Sequence, residues 1–232
     1  MRSGDVIVID GSEGHHGVSV RRVNVGERVE VVDGSGLRAS AVVTAVQKRS
    51  FAVTLDAVQL EQRPGPTVTV VQALLKGDRS ELAVELMTEL GVDQIVPWRA
   101  ERCIARWDDA KTVKAVEKWR ATAREAAKQS RQAYVPAICE PIDTAELPSM
   151  IAATDAAYVL HEQSTPIDVQ VPTEGSVLVI VGPEGGITDD ELGIMHRATK
   201  LRLGPTVLRG STAGAVSLAY LLSRTPRWKE MA

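Results

Sequence analysis

The run Val177-Leu178-Val179-Ile180-Val181 passes straight into Gly182-Pro183-Glu184-Gly185-Gly186-Ile187, and that passage decides the fold. An unbroken aliphatic run of this length reads as a strand covered on both faces, as in parallel sheets flanked by helices. Thr188-Asp189-Asp190-Glu191 then spells a capping box, so a helix opens over Asp189–Ala198. In such sheets ligands bind outside the carboxyl ends of the strands. Two adjacent glycines leave bare backbone for a ligand to approach. From this pattern alone the loop is equally a plain tight turn or a ligand cradle.

Working outward, the same grammar recurs. Strand Ala156–Leu160 ends at His161-Glu162, and strand Leu201–Leu203 ends at Gly204-Pro205, before a helix over Thr212–Ser223 capped by Ser211 or Thr212. Upstream, Thr67–Leu75 is another continuous apolar strand. Helix Arg79–Leu90 follows, with Leu82, Leu86 and Leu90 four apart, Asp78 or Ser80 to cap it and Gly91 to end it. Strand Asp93–Trp98 and a long helix Val113–Ala133 complete the alternation, with Val116, Trp119, Ala123 and Ala126 on the inner face of that helix. Strand–helix alternation implies a parallel sheet with helices on both faces. Residues 1 to 63 differ: Val6–Asp10, Arg28–Asp33, Ala39–Gln47 and Phe51–Gln59 are β-branched-rich runs, and Asp33-Gly34-Ser35-Gly36 is a hairpin turn. Short strands at this spacing point to a small β-barrel domain. Arg63-Pro64-Gly65-Pro66 reads as the linker to a second domain over 67–232.

Composition narrows the function. Aromatics are only 3% of the 232 residues, which argues against gripping single strands by base stacking. Cys103 and Cys139 are the only cysteines, without a C-x-x-C pair, so a disulfide framework and a zinc ribbon are excluded. No apolar run approaches the ~20 residues of a membrane span, and no leader pattern opens the chain, so the expected location is the cytoplasm, with no membrane partner. Neither a phosphate loop nor G-x-G-x-x-G is present. Gly210-Ser211-Thr212-Ala213-Gly214 puts Thr at the centre of a would-be nucleophile elbow, and H-E-x-x-H after Leu160 fails at Thr165. His15 and His16, on a strand edge or loop, lack the partners of a metal site, so no metal is expected. Around Gly182–Ile187 the chain is acidic with no basic residue, which suits a cationic or neutral ligand.

Charge distribution supplies a second surface. From Arg99 to Arg131 ten Lys/Arg stand against five Asp/Glu, whereas Gln132–His196 holds eleven Asp/Glu and no Lys or Arg. Arg120, Arg124, Lys128 and Arg131 recur at helical spacing on one face, with only Glu117 and Glu125 near enough to pair. Such a stripe fits phosphate contact as well as it fits a solvated helix face. Lys76, Arg79, Arg99, Arg102 and Arg106 lie around strand ends of the same sheet and extend it.

Lys76-Gly77-Asp78-Arg79-Ser80-Glu81-Leu82-Ala83, Thr88-Glu89-Leu90-Gly91-Val92, Ala126-Ala127-Lys128-Gln129-Ser130, Gly182–Gly186 and Leu203-Gly204-Pro205-Thr206-Val207-Leu208-Arg209 resemble, in this order, the RsmE family of SPOUT methyltransferases. Its members methylate N3 of uridine 1498 in bacterial 16S ribosomal RNA. The resemblance spans nearly the whole chain and implies a PUA-like N-terminal barrel and a C-terminal deep trefoil knot, although knots are rare on physical grounds. It further implies a homodimer and a bent S-adenosylmethionine held by three loops. Carried onto this chain, the cofactor-binding residues are Leu160, His161, Glu162, Gly182, Pro183, Glu184, Gly185, Gly186, Leu203, Gly204, Val207, Leu208, Arg209, Thr212 and Ala213. RNA contact falls to Arg21, Arg22, Lys76, Arg79, Arg102, Arg120, Arg124, Lys128 and Arg131. The family commonly reads Thr-Glu where this chain has Gly210-Ser211, so a role resting on that glutamate does not transfer.

An activated methyl needs neither a metal nor a covalent catalyst. Uracil N3 must lose a proton, and charge then develops on O2 and O4, where Arg209 is the first candidate to stabilise it. Glu184 or Glu162 is the candidate proton acceptor, and the base must be unpaired or flipped outward. The rival readings are a SPOUT enzyme acting on a ribose 2′-oxygen and a non-catalytic RNA-binding protein.

Overall fold

The computed structural model describes residues 1–164 and 169–229, in two compact units, 1–62 and 63–232. The incomplete zinc-protease spelling that ends at Thr165 lies outside the described residues.

In the first unit the four expected strands are present: β1 (Val6–Ile9), β2 (Arg28–Val32), β3 (Leu37–Val46) and β4 (Phe51–Leu60). They pair antiparallel in the order β1-β4-β3-β2, and two register shifts between β3 and β4 add local twist. At the hairpin the Asp33 carboxylate accepts from the N–H groups of Ser35 (2.7 Å) and Leu37 (3.0 Å), which holds the β2–β3 turn. Val29, Ala39, Ala41, Val43, Val53 and Leu55 form the core of this unit. His15 and His16 correct the expectation of a strand edge or loop. They belong to a helical segment, α1 (Gly11–His15), which continues as a π-helical turn over His16–Arg21 and stops at Arg22 with φ 57°.

The second unit runs β5 (Thr67–Ala73), α2 (Arg79–Glu89), β6 (Gln94–Arg99), α3 (Asp109–Gln129), β7 (Ala137–Ile138), β8 (Ile142–Asp143), α4 (Leu147–Ala152), β9 (Ala156–Leu160), β10 (Ser176–Val181), α5 (Asp189–Ile194), β11 (Thr199–Leu201), α6 (Gly210–Leu222) and α7 (Pro226–Lys229). The sheet order is β11-β9-β10-β5-β6-β7, with β8 also on β6, and every described pair is parallel. All carboxyl ends therefore point to one edge. Val177 to Val181 are buried along their whole length in the interior strand β10, which lies between β9 and β5 with α6 packed on it.

Several boundaries differ from expectation for identifiable reasons. The buried face of α2 is Ser80, Ala83, Val84, Met87 and Thr88, and Leu82 is exposed, because the helix packs against α3 and α6 through its smaller side chains. Asp78 takes the capping position of α2 without a side-chain cap bond, and Ser80 lies inside the helix, where its hydroxyl accepts from Leu75 N–H (3.1 Å) and donates to Leu75 C=O (3.3 Å). The start of α3 comes earlier, where the Asp108 carboxylate accepts from Lys111 N–H (2.9 Å). Ser211 and Thr212 do not cap α6, which begins at Gly210 with Arg209 at the capping position; the Thr212 hydroxyl donates to Arg209 C=O instead. Although aromatics are few, Trp98 and Trp119 are fully buried, and Trp107 stacks edge-on to Trp119 at 5.3 Å.

Candidate active site

Three strand ends build a cavity of about 660 Å³ at the carboxyl edge of the sheet. The first is β10, whose chain turns back at once: Gly186 N–H donates to Pro183 C=O (2.9 Å), and Gly186 sits at φ 75°, where a side chain would be strained. The loop is thus a tight turn that also forms part of the cavity wall. The second is β9, extended past Leu160 by the bond from His161 N–H to Leu201 C=O (3.1 Å). The third is β11, which leads through Arg202–Leu208 to Arg209 at the start of α6.

Of the fifteen residues carried over as cofactor ligands, thirteen line this cavity; Gly204 and Thr212 do not. Gly204 holds the turn at φ 77° and accepts from Arg202 Nε (3.1 Å). Pro205 and Thr206, inside the Leu203–Arg209 loop, also line it, as do Gln163, Val181, Ile187, Asp189, Leu201, Arg202, Gly210 and Ser211, which the sequence did not mark as ligands. These last eight stand within three residues of the loops already named, so position next to a strand-end loop is the signal that marks them.

Two further lining residues come from elsewhere in the chain: Arg79 and Arg102. The acidic character of the Gly182–Ile187 stretch is therefore a local property that cations from distant segments partly offset. Glu184 Oε1 accepts from Lys76 N–H (3.2 Å) and lies 3.5 Å from Arg79 Nη1, which ties the loop after β5 to the loop after β10. Arg102 Nη1 donates to Gly185 C=O (3.3 Å). The approach is so close that a Cβ on Gly185 would stand 2.9 Å from Arg102 Cβ and 3.1 Å from Arg102 C=O. Arg209 is exposed at the cavity wall, and among the described residues its guanidinium has no partner. The cavity thus combines carboxylates at Glu162, Glu184 and Asp189 with guanidinium groups at Arg79, Arg102, Arg202 and Arg209.

The basic stripe is shorter and better neutralised than its spacing implied. Arg131 lies beyond the end of α3, at φ 57°, so it shares no helix face with the others. Arg120 bonds both Glu117 (2.6 Å) and, from the β7–β8 segment, Glu140 (3.0 Å), and Lys128 bonds Glu125 (3.0 Å). Arg124 is exposed with no partner among the described residues, as is the Lys76 ammonium. In the first unit Arg21 bonds Glu27 at 3.1 Å and Arg22 ends the π-helical turn. No described helix is long and apolar enough to cross a membrane, and among the described residues no group of three or more His, Cys, Asp or Glu could hold a metal.

A cavity at the carboxyl edge of a parallel sheet, walled by glycine loops and cations, describes a class that the family comparisons name. Residues 61–222 match the model of an RNA methyltransferase domain, and residues 9–56 that of an RNA methyltransferase PUA domain. A ribosomal RNA small subunit methyltransferase E of Mycobacterium bovis is 43% identical over 97% of this chain and 89% of its own length. That of Bacillus subtilis is 30% identical over 94% and 90%. A solved structure from Legionella pneumophila, with the cofactor SAM bound, superposes with a TM-score of 0.87 at 28% identity over 97% of this chain and 94% of that one. The chain belongs to the ribosomal RNA small subunit methyltransferase E family.

Proposed function

We propose that this protein transfers a methyl group from S-adenosylmethionine to N3 of uridine 1498 in 16S ribosomal RNA, in the cytoplasm, as a homodimer whose catalytic unit is knotted. The observation that carries this reading is the cavity formed by the ends of β9, β10 and β11, into which Arg79, Arg102 and Arg209 also converge. Its volume lies within the range of cofactor pockets, roughly 300–1,000 Å³. Its chemistry fits the cofactor: bare glycine backbone and the apolar Val181, Leu201, Leu203 and Leu208 suit the nucleoside, and carboxylates suit a sulfonium and an ammonium. The sulfonium supplies an already activated methyl.

The residues of this chain do the rest. Arg209, open and unpartnered among the described residues, stabilises the negative charge that grows on the uracil oxygens as N3 gives up its proton. Glu162 accepts that proton more readily than Glu184, because one Glu184 oxygen is already engaged by Lys76 N–H and Arg79. Arg79 and Arg102 meet RNA phosphates at the cavity rim, with Lys76 beside them. Arg124 and Lys128 on α3, and Arg21 and Arg22 in the PUA domain, add phosphate contacts that hold the ribosomal RNA.

Mass spectrometry of 16S ribosomal RNA from a deletion strain tests the target. N3-methyluridine should disappear and return with the plasmid-borne gene; an unchanged level rules the assignment out, and loss of a ribose methylation would favour the 2′-oxygen reading. Gly185→Ala tests the geometry. The added Cβ must displace the Arg102 backbone, so turnover should fall at least about tenfold, since a shift of about 1 Å at a positioned group costs up to 10² in rate. Unaltered kinetics in that variant would mean that the Arg102–Gly185 contact has no part in the reaction.

A further inference from the structure

The capping box of α5 uses only part of its glutamate. Glu191 is 3% exposed. One oxygen does the ordinary work: Oε2 accepts from Thr188 N–H (3.1 Å), while Glu191 N–H donates to Thr188 Oγ1 (3.2 Å). The other oxygen reaches out of the helix. Oε1 accepts from the backbone N–H of Glu101 (2.9 Å) and from the hydroxyl of Thr144 (3.0 Å). Thr144 Oγ1 accepts in turn from Trp98 Nε1 (3.1 Å), and the Thr188 hydroxyl donates to Glu101 Oε2 (3.3 Å). A single buried carboxylate therefore joins three segments distant in sequence: the start of α5, the turn after β6, and the turn after β8.

The turn after β6 carries Arg102. The residue held by Glu191 is its immediate neighbour, and Arg102 itself leans on Gly185. The carboxylate at the start of α5 and the loop before α5 thus grip the same short segment from two sides. A long, exposed guanidinium held only at its tip would sample many rotamers, whereas one whose backbone is pinned next door meets a ligand with less entropy to lose.

We propose that Glu191 is a positioning residue that fixes the Glu101–Arg102 segment and so aims Arg102 at the RNA backbone at the rim of the cavity. This rests on the reading of Arg102 as an RNA contact. Glutamine cannot replace the carboxylate, because its NH2 group must face either Glu101 N–H or Thr188 N–H, a donor against a donor.

The experiment is a double-mutant cycle of Glu191→Gln and Arg102→Ala. It is read as equilibrium binding to unmethylated small ribosomal subunits without cofactor, alongside thermal melting and S-adenosylmethionine titration. Arg102→Ala should weaken subunit binding about five- to tenfold, in the range of a single charged contact. Glu191→Gln should weaken it severalfold when Arg102 is present and by less than about twofold in the Arg102→Ala background. The melting temperature falls by the same amount in both backgrounds, because that part of the effect does not pass through Arg102. Equal weakening of binding in both backgrounds, or none with Arg102 present, overturns the positioning role. If Arg102→Ala impairs cofactor titration but leaves subunit binding intact, the RNA reading of Arg102 fails, and the proposal with it. Thr144→Val, which deletes one donor to Oε1, should give a smaller shift with the same dependence on Arg102 and serves if Glu191→Gln does not fold.

Discussion

Arg209→Ala is expected to lower single-turnover methylation by about 10²–10³-fold, the usual cost of removing one donor that faces developing oxyanion charge. Cofactor affinity should change by no more than about threefold. The asymmetry follows from placement. Arg209 stands at the capping position of α6 with its side chain exposed at the cavity wall and no described partner, so its loss strands no buried group and leaves the helix start to the backbone and Thr212. Calorimetry with S-adenosylmethionine separates the outcomes. If cofactor binding vanishes together with turnover, Arg209 is a cofactor ligand, and uracil charge must be stabilised by another group.

Asp93→Ala is expected to destabilise the catalytic unit by about 3–5 kcal/mol, the range for breaking a buried ion pair from one side. Asp93 Oδ2 accepts from Arg227 Nη1 (2.8 Å) and from Val68 N–H (2.7 Å), and Oδ1 pairs with Arg63 Nη1 (2.9 Å). Arg227 also donates to Pro66 C=O (2.7 Å), and Arg63 donates to Gly91 C=O (2.8 Å) while lying over the Tyr134 ring at 4.7 Å. One carboxylate thereby secures the entry to β5, the turn after α2 and the C-terminal α7. Arg227 is only 8% exposed, so solvent cannot take over when Asp93 is removed. Urea unfolding should show the loss as a lower midpoint at unchanged slope. A shift below about 1 kcal/mol would place the cluster with ordinary surface pairs.

Residues governed by local patterning are legible in the order of amino acids alone. Val177–Val181, short, rich in β-branched residues and closed by Gly182-Pro183, reads as a covered strand, Thr188 and Glu191 spell a helix start that needs no distant partner, and Gly182–Gly186 mark the turn that follows the strand. Most of the cavity wall follows from these, because a strand end and the loop after it are contiguous in sequence. Arg79 and Arg102 are legible as cations but not as members of the cavity, since parallel strands bring distant loops to one edge. The same long-range effect brings Glu140 to Arg120 and lowers the apparent excess charge of the basic stripe. The start of α2 at Arg79 matches its pattern, whereas α6 starts two residues before Thr212, and the Ser80 and Thr212 hydroxyls bond backbone carbonyls instead of capping N–H groups.

By itself, then, the sequence determined the strands, the glycine turns and the capping box that begin and end this site, each of which is decided by residues within a few positions of one another. Only the tertiary structure decided which charges surround the cavity and what the second oxygen of Glu191 holds. Those depend on groups far apart in the chain, as Lys76 is from Glu184 and Glu101 from Glu191, and a hydrogen bond between such groups leaves no local trace in the order of amino acids.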